Sequence, residues 1–409
     1  MRAGLAARPI AELVAWTVEV DDPGELLTWL PAGAAFGFLR GGDGIVGWGE
    51  AARLSTREPD EVAAALGAIT ARDDVGLPGC GPVAVASLGF AASDRSVVVV
   101  PKVVLGRRDG RSWLTLVTPP GAVEVPALRR RPVAAATAPP ATLAASVPGE
   151  SEWAAAVADA VAAIRGGELD KVVLARALDV IAPAQLDPRA VAARLAVRFP
   201  SCFTFVCDGL VGASPELLIR RMGRHAESLV LAGTVRRGAS PEEDAELERS
   251  LLHSAKDAVE HRIAADSVRE VLAGVAADVV GDASPQLLRL ANVTHLATHV
   301  EAWLAAPAPT ALALAAALHP SAAVGGTPRG AALAMIDRLE VAPRGRYAAP
   351  VGWVDAKGDG EFAIALRCAQ LDGSAARLWA GAGIVAGSDP AAELAETTAK
   401  FDAVLSALL

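Results

Sequence analysis

The chain has 409 residues, enough for one large two-lobed domain or two smaller ones; with 52% hydrophobic but only 4% aromatic residues, its core must be mostly Ala, Val and Leu. A net charge of −9 argues against an electrostatic nucleic-acid surface. No apolar run reaches membrane-spanning length, the nearest being Ala311 to Leu318, and no basic stretch followed by an apolar one opens the chain, so the expectation is a soluble cytoplasmic protein.

Residues 1 to 130 mix strand-like runs with turns. Val97 to Leu105 and Trp113 to Val117 predict strands, with hairpin turns at Ser93-Asp94-Arg95 and Arg107 to Gly110, and no catalytic cluster stands out. The Ala/Pro-rich stretch around 131–150 (Arg129 to Pro148 has no periodicity) predicts an irregular connection. A helix is then expected from an N-cap at Ser151 to Gly166-Gly167, followed by a strand from Lys171 to Val180. Alternation places Lys171, Val173, Ala175 and Ala177 on one face. A lysine continuing a small, apolar face either snorkels to the sheet edge or lines a cleft, where desolvation makes it a usable base.

Phe203 to Val206 and Leu217 to Arg220 predict strands, with Ser214-Pro215-Glu216 at the entry of the second; Leu229 to Thr234 is an apolar run ending in Ala232-Gly233-Thr234. Cys80, Cys202, Cys207 and Cys368 lack metal-ligand spacing and read as core thiols of a reducing compartment. Pro241 to Leu272 predicts one long, charge-rich helical region carrying Asp257, Glu260 and His261 at i, i+3 and i+4. His295 and His299 (HLATH) have zinc-helix spacing without the following Glu, and their neighbours leave strand against helix open. A helix over Ala311 to Leu318, a Gly-rich loop that is no P-loop, and a helix from about Ala331 to Leu339 come next, then Tyr347, the single tyrosine. Glu361 to Leu371 predicts one strand with Phe362, Ile364, Leu366 and Cys368 on the bulky face, and Arg367 among alanines on the other. That arginine has room for a ligand carboxylate, or is a paired structural residue.

The last motif runs from Leu378 to Lys400 and reads as a strand end, a turn of small residues at Gly381 to Gly387, and a helix with Asp389 as N-cap and Pro390 in its first turn. Small residues let backbone N–H groups approach an anion, and Glu393, Glu396 and Lys400 share one helical face. Two helices far apart in sequence thus each carry a carboxylate pair, which suits a shared hard cation; a solvated charged face is the plainer alternative. Gly381, Gly383 and Ala386 also fit G-x-G-x-x-A, but no room remains before Leu409 for the βαβ unit a dinucleotide site requires.

Several separate motifs in order make the stretch from about 151 to 409 resemble the chorismate-utilising enzymes: DKVVLAR (170–176), GASPELL (212–218), LAGT (231–234), SAKDAVEH (254–261), THLAT (294–298), HPSAAVGGTPR (319–329), RGRYAAPVGW (344–353), IALR (364–367) and AGAGIVAGSDPAAELAETTAK (380–400). The GGTPR and YAAPVGW forms look most like isochorismate synthases. The resemblance implies an α/β structure of the α+β type: a large two-lobed fold with central antiparallel sheets, helices outside and a deep cleft, residues 1–130 forming an N-terminal lobe and 151–409 the catalytic region. It implies a Mg²⁺-dependent, reversible conversion of chorismate to isochorismate, with Lys171 as the base that activates water and Glu216 as the acid that protonates the leaving hydroxyl. It implies Glu260 and Glu396 as metal ligands with Asp257 and Glu393 close by, and Tyr347, Arg367, the backbone at Gly381 and Gly383, and Lys400 around the enolpyruvyl carboxylate. Gly233 and Thr234 would line the ring pocket with His295 at its edge, and the resemblance favours a monomer feeding menaquinone, siderophore or salicylate synthesis.

Val235, Ala258 and Ala349 depart from residues common among relatives, and they bear on loop geometry more than on the reaction. The nearest rival reading is a salicylate synthase, which eliminates pyruvate in the same site. An anthranilate-type enzyme is disfavoured by Lys171, and a catalytically silent chorismate binder by the intact set of acidic and basic residues.

Overall fold

The structure, a computed structural model, describes residues 10–33, 35–121, 129–131, 142–291 and 293–408. The first elements are β1 (Val14–Val20), β2 (Ala35–Arg40), β3 (Asp43–Leu54), α1 (Pro59–Gly67), β4 (Thr70–Asp73), β5 (Val83–Ser87), β6 (Val97–Arg108) and β7 (Arg111–Thr118). Next come β8 (Thr142–Val147), α2 (Glu150–Arg165), β9 (Lys171–Ile181), α3 (Pro188–Arg198), β10 (Phe203–Cys207), β11 (Leu210–Ser214), β12 (Leu217–Met222) and β13 (His225–Arg236). α4 (Pro241–His253) and α5 (Ala255–Ala273) precede β14 (Ala276–Gly281), β15 (Gln286–Arg289), β16 (Val293–Leu304) and α6 (Ala311–Leu318). The chain closes with β17 (Gly326–Thr327), α7 (Arg329–Leu339), β18 (Pro350–Asp355), β19 (Gly360–Ile364), β20 (Cys368–Asp372), β21 (Ala375–Ile384) and α8 (Pro390–Leu408).

These strands form one connected sheet that divides into two limbs. In one limb β8, β9, β21, β20, β11 and β10 pair in succession and join β2. In the other, β16, β13, β12, β19 and β18 pair in succession and join β5. β3 and β6 link β2 to β5, so the N-terminal strands are the joint between the limbs. All pairings are antiparallel except β1 with β4. The mixed, largely antiparallel α/β architecture expected from the sequence is what the chain adopts.

Because helices cover the sheet, its central strands are buried on both faces: every residue of β5, β10, β11 and β18 is buried. One core region gathers residues of α2, α5, α6 and α7 around Trp113, Trp153 and Trp353. The second packs α3 and α8 onto the first limb through Leu195, Leu378 and Phe401. A fully buried phenylalanine such as Phe203 or Phe362 contributes about 3 kcal/mol by leaving water. The four cysteines are buried and unpaired. No helix of the described residues is long and apolar enough to cross a membrane.

Several local expectations change. The stretch read as irregular contains β8, which pairs with β9. α2 starts earlier than Ser151: Gly149 is its N-cap, and the Glu152 carboxylate accepts from the Gly149 N–H at 3.0 Å. The long helical region is two helices, because the Ser254 hydroxyl accepts from the Asp257 N–H at 3.2 Å and caps a new start. His295 and His299 lie on β16, where a separation of four residues spans roughly 13 Å; His295 is buried and His299 exposed, which removes the zinc-helix reading. The strand expected over Glu361 to Leu371 is broken into β19 and β20, and Arg367 between them has φ +48°. Gly381 and Gly383 lie inside β21, opposite Ala175 and Val173 of β9, and not in a turn.

Candidate active site

The cavity lies where the two limbs part. β11 belongs to one limb and β12 to the other, and the two-residue step between them carries Glu216. β19 and β20 part at the same height, and that break carries Arg367, whose carbonyl accepts from the Ala213 N–H at 3.1 Å. Two neighbouring breaks thus turn an acidic and a basic side chain out of a sheet that is otherwise sealed; both line the cavity. The left-handed backbone of Arg367 is the strained feature that tertiary pairing imposes there.

Glu216 is 4% exposed, and burial pushes its carboxyl up to about 8, against the opposing pull of the Leu231 N–H and of Lys171, Arg367 and Lys400. Its Oε1 stands 3.5 Å from the Leu231 nitrogen. At neutral pH it therefore holds a proton that it can donate.

Gly233 is the extra residue of a bulge between β13 and β16, with φ +77°. The bulge aims Thr234 at His295, with Oγ1 2.9 Å from Nδ1. An Arg367 guanidinium N–H reaches the other ring nitrogen, Nε2, at 3.4 Å. An arginine can only donate, so Nε2 accepts and the proton sits on Nδ1. Burial and the Arg367 and Lys400 cations hold His295 well below the usual histidine range, so the ring stays neutral.

α5 is tied to this bulge by His261, which donates from Nδ1 to the Ala232 carbonyl at 3.2 Å and accepts at Nε2 from the Thr298 hydroxyl at 2.7 Å. One residue back on the same helix, Glu260 reaches the cavity and meets Lys171 of β9, with Nζ 3.3 Å from Oε1. Lys171 is fully buried, so it neither snorkels nor lines the cavity directly; it lies behind Gly383 and Glu260. The ion-pair distance is met without hydrogen-bond geometry, which leaves Nζ without a hydrogen-bond partner. Gly383 is glycine because a Cβ there would lie 1.8 Å from Glu260 Oε1. A Cβ at Gly381 would lie 3.1 Å from the Tyr347 hydroxyl.

β20 leaves β21 after Leu378, and the Gly381 carbonyl accepts from Lys400 Nζ at 2.8 Å. Lys400 also pairs with Glu396, one turn earlier on α8, and both line the cavity. The α8 start is as the sequence indicates, with Asp389 Oδ1 accepting from the Ala391 and Ala392 N–H groups. Glu393 is 1% exposed and pairs with Lys256 at 2.6 Å. Burial first, and then Glu396, raises the Glu393 carboxyl; burial first, and then Glu260 and Glu396, raises Asp257, against Ser254 and Lys256. Among the described residues the four carboxylates do not close into a three-ligand metal cluster; three of them are held by lysines.

Of the fourteen residues singled out from the sequence, eleven line this one cavity; Lys171 and Asp257 stand beside the lining glycines Gly383 and Gly233, and Glu393 is outside the lining, paired with Lys256. The sequence reasoning did not single out Arg344, Val324 or Leu366 as site residues, although they fall in motifs quoted from it. Arg344 faces the cavity, but its N–H groups are committed to Glu340, to the Val324 carbonyl and to the Val173 carbonyl, both carbonyls at 2.7 Å. Of the two arginines at the cavity, Arg344 builds the wall and Arg367 is the one with donors to spare.

Residues 43–409 match the sequence model of the family described as chorismate binding enzyme. A Mycobacterium tuberculosis protein that carries the provisional name isochorismate synthase MenF is 40% identical over 343 residues, covering 81% of this chain and 87% of that protein. The isochorismate synthase DhbC of Bacillus subtilis is 39% identical over 273 residues, 64% of this chain and 69% of its own. Among solved structures, MenF of Escherichia coli, a menaquinone-specific isochorismate synthase, superposes with a TM-score of 0.80 at 25% identity, covering 97% of this chain and 95% of that one.

Proposed function

The chain belongs to the chorismate-binding enzyme family, and from that premise we propose that it is an isochorismate synthase, an isomerase that interconverts chorismate and isochorismate. The observation that carries the reading is Glu216: a carboxyl held protonated at neutral pH inside a cavity that also holds Arg367 and Lys400. Exchange of a hydroxyl between two ring carbons needs one group to take a proton from water and another to give one to the departing hydroxyl.

Lys171 is the candidate base. As the neutral amine, and not as the ammonium that pairs with Glu260 in the protein alone, it takes a proton from the water whose oxygen bonds to C2, the ring double bonds shift, and the C4–O bond breaks as Glu216 gives its proton to the leaving oxygen. One water enters and one leaves, so the step is an isomerisation and is reversible. Arg367, Tyr347 and Lys400 would hold the enolpyruvyl carboxylate, and Gly233, Thr234 and neutral His295 would border the ring. With its side of β21 committed to Lys400 at the Gly381 carbonyl, the strand offers shape there more than free N–H groups.

Asp257, Glu260, Glu393 and Glu396 would hold Mg²⁺. The donor set fits a hard cation, because four carboxyls from two helices are close enough that Glu260 and Glu396 raise Asp257 and Glu396 raises Glu393. When bound, the ion would neutralise and orient the ring carboxylate. Three of these carboxylates, Glu260, Glu393 and Glu396, pair with Lys171, Lys256 and Lys400 in the protein alone, which holds them in order. The reading extends to a catalytic region over 151–409 with residues 1–130 as a lobe of the same fold, acting in the cytoplasm as a monomer.

The test is a product assay: purified protein with chorismate, with Mg²⁺ or with EDTA, and products separated by chromatography. Isochorismate alone, formed only with Mg²⁺, is the expected outcome. Salicylate with pyruvate would replace the proposal by a salicylate synthase, and no consumption of chorismate would overturn it.

A further inference from the structure

One buried cation has no part in the chemistry above. Arg176 of β9 is 4% exposed, and no carboxylate among the described residues forms an ion pair with it. Its guanidinium is instead held by three hydroxyls. Nε donates to Thr397 at 2.8 Å and Nη2 to Thr398 at 2.7 Å, both on α8, and Nη1 donates to Ser146 of β8 at 3.0 Å. Each hydroxyl passes its own proton to a backbone carbonyl: Thr397 and Thr398 to Leu394, and Ser146 to Pro148. The plane of the group also lies over the Phe401 ring, 5.1 Å from its centroid.

Burying a guanidinium among neutral groups is costly, so an arrangement of this kind is retained for what it fixes more than for net stability. What it fixes is the rotation of α8. Thr397 and Phe401 each follow directly on a cavity residue, Glu396 and Lys400, so the gripped stripe lies about 100° around the helix from the functional one. A turn of α8 about its axis would carry Glu396 and Lys400 out of the cavity and break the three Arg176 contacts that α8 makes, to Thr397, Thr398 and Phe401, while Ser146 of β8 keeps the guanidinium in place. The same strand carries Lys171 five residues earlier, on its opposite face. β9 therefore presents the candidate base on one side and sets the helix of acidic residues with the other.

We propose that Arg176 is a positioning residue that locks α8 in the rotational setting the active site requires, through the hydroxyls of Thr397, Thr398 and Ser146. The inference rests on the proposed function for the meaning of "active site", and its test separates the two. Mg²⁺ binding is measured by calorimetry on the chorismate-free protein, and kcat by the product assay at saturating chorismate, for wild type, Arg176→Met and Arg176→Lys, with circular dichroism to verify the fold. Arg176→Met is expected to weaken Mg²⁺ binding and to lower kcat by about 10- to 100-fold, the range for groups that orient metal-site ligands. Arg176→Lys, which keeps the charge and the stem, should recover part of both, an outcome that loss of stability alone would not give. Should Arg176→Met not fold, the pair Thr397→Val with Thr398→Val removes the two α8 hydroxyls, keeps the arginine, and should reproduce the defect. Wild-type protein that fails to bind Mg²⁺ would sink the metal assignment while kcat still judges Arg176. A folded Arg176→Met, or in its place the folded Thr397→Val/Thr398→Val pair, with wild-type kcat overturns the positioning role.

Discussion

Replacing Gly383 by alanine adds one methyl group at the point where α5 and β9 meet. Its Cβ would stand 1.8 Å from Glu260 Oε1, 2.6 Å from the carboxyl carbon and 3.2 Å from Lys171 Cε. Ordinary contact begins at 3.4 Å, so the carboxylate has to retreat by at least 1.6 Å. The backbone does not resist the change, since Gly383 lies in β21 without a positive φ, and the clashing atoms are the mobile end of a side chain. The protein should fold, with a melting temperature close to wild type. The active site should not survive as well: a displacement of about 1 Å at a reacting or metal-holding group costs on the order of 10²-fold. kcat/KM is therefore expected to fall at least about 100-fold, equivalent to about 2.7 kcal/mol of barrier. The assay is chorismate conversion across an Mg²⁺ titration, with thermal melting alongside. Gly352→Ala is the contrast, because its Cβ would meet the Glu361 carbonyl at 1.9 Å, a backbone atom that cannot swing away; it should lower stability itself. A folded Gly383→Ala with wild-type kcat/KM would refute the argument that this glycine exists to admit Glu260.

The remaining expectations concern the proton carriers and the metal. Glu216→Gln should reduce kcat by about 10²- to 10⁴-fold, the usual contribution of a general acid, with the fold intact by circular dichroism. In the wild type, activity carried by protonated Glu216 should fall as pH rises through about 8, a limb set by its raised pKa. The same shift bears on stability: between 4.5 and about 8 the native state binds the proton more tightly than the unfolded chain, so stability declines across that window and then levels off, and Glu216→Gln should flatten the decline in urea titrations. Lys171→Met should abolish turnover and also leave Glu260 without its cation, costing about 3 kcal/mol in urea unfolding; wild-type turnover would remove the lysine from the mechanism. Glu260→Ala should weaken Mg²⁺ binding by calorimetry, and an unchanged titration would move the ligand assignment elsewhere.

What was legible in the sequence is what local chemistry decides. Asp389-Pro390 marked the start of α8, and the spacing of Glu393, Glu396 and Lys400 placed them on one face. The strand-like runs of β6 and β7, bounded by turn residues, were read as strands, and the turn between them has positive φ at both Asp109 and Gly110. Elsewhere the deciding force came from distant parts of the chain. Phe362, Ile364, Leu366 and Cys368 keep perfect alternation through a point where the strand breaks, because the break is made by two limbs of sheet pulling apart and not by any residue at 365–367. Gly381 and Gly383 resembled a ligand-binding turn, yet they answer to side chains arriving from Tyr347 and Glu260. The division of α4 from α5, by contrast, was readable: Ser254 followed three residues later by Asp257 is a capping signal inside a long helical pattern.

The breaks explain why the site is where it is. A strand buried on both faces admits a polar side chain only where a partner meets it, as the hydroxyls meet Arg176 on β9, since each buried donor or acceptor must find a partner or cost stability. The sheet therefore releases its functional groups at faults in its ladders. Glu216 leaves at the step from β11 to β12, Arg367 at the step from β19 to β20, and Thr234 at the Gly233 bulge of β13. Lys171 stands at the first residue of β9, where the strand also pairs with the short β17. The groups that must carry charge in numbers, Asp257, Glu260, Glu393 and Glu396, come from helices, whose ends can be hydrated or paired with lysine. On this view the two limbs are not incidental to the chemistry: a single unbroken sheet of the same residues would have to bury an acid and an arginine side by side as a neutralised pair, and a carboxyl so paired would sit low in its range and have no proton to give.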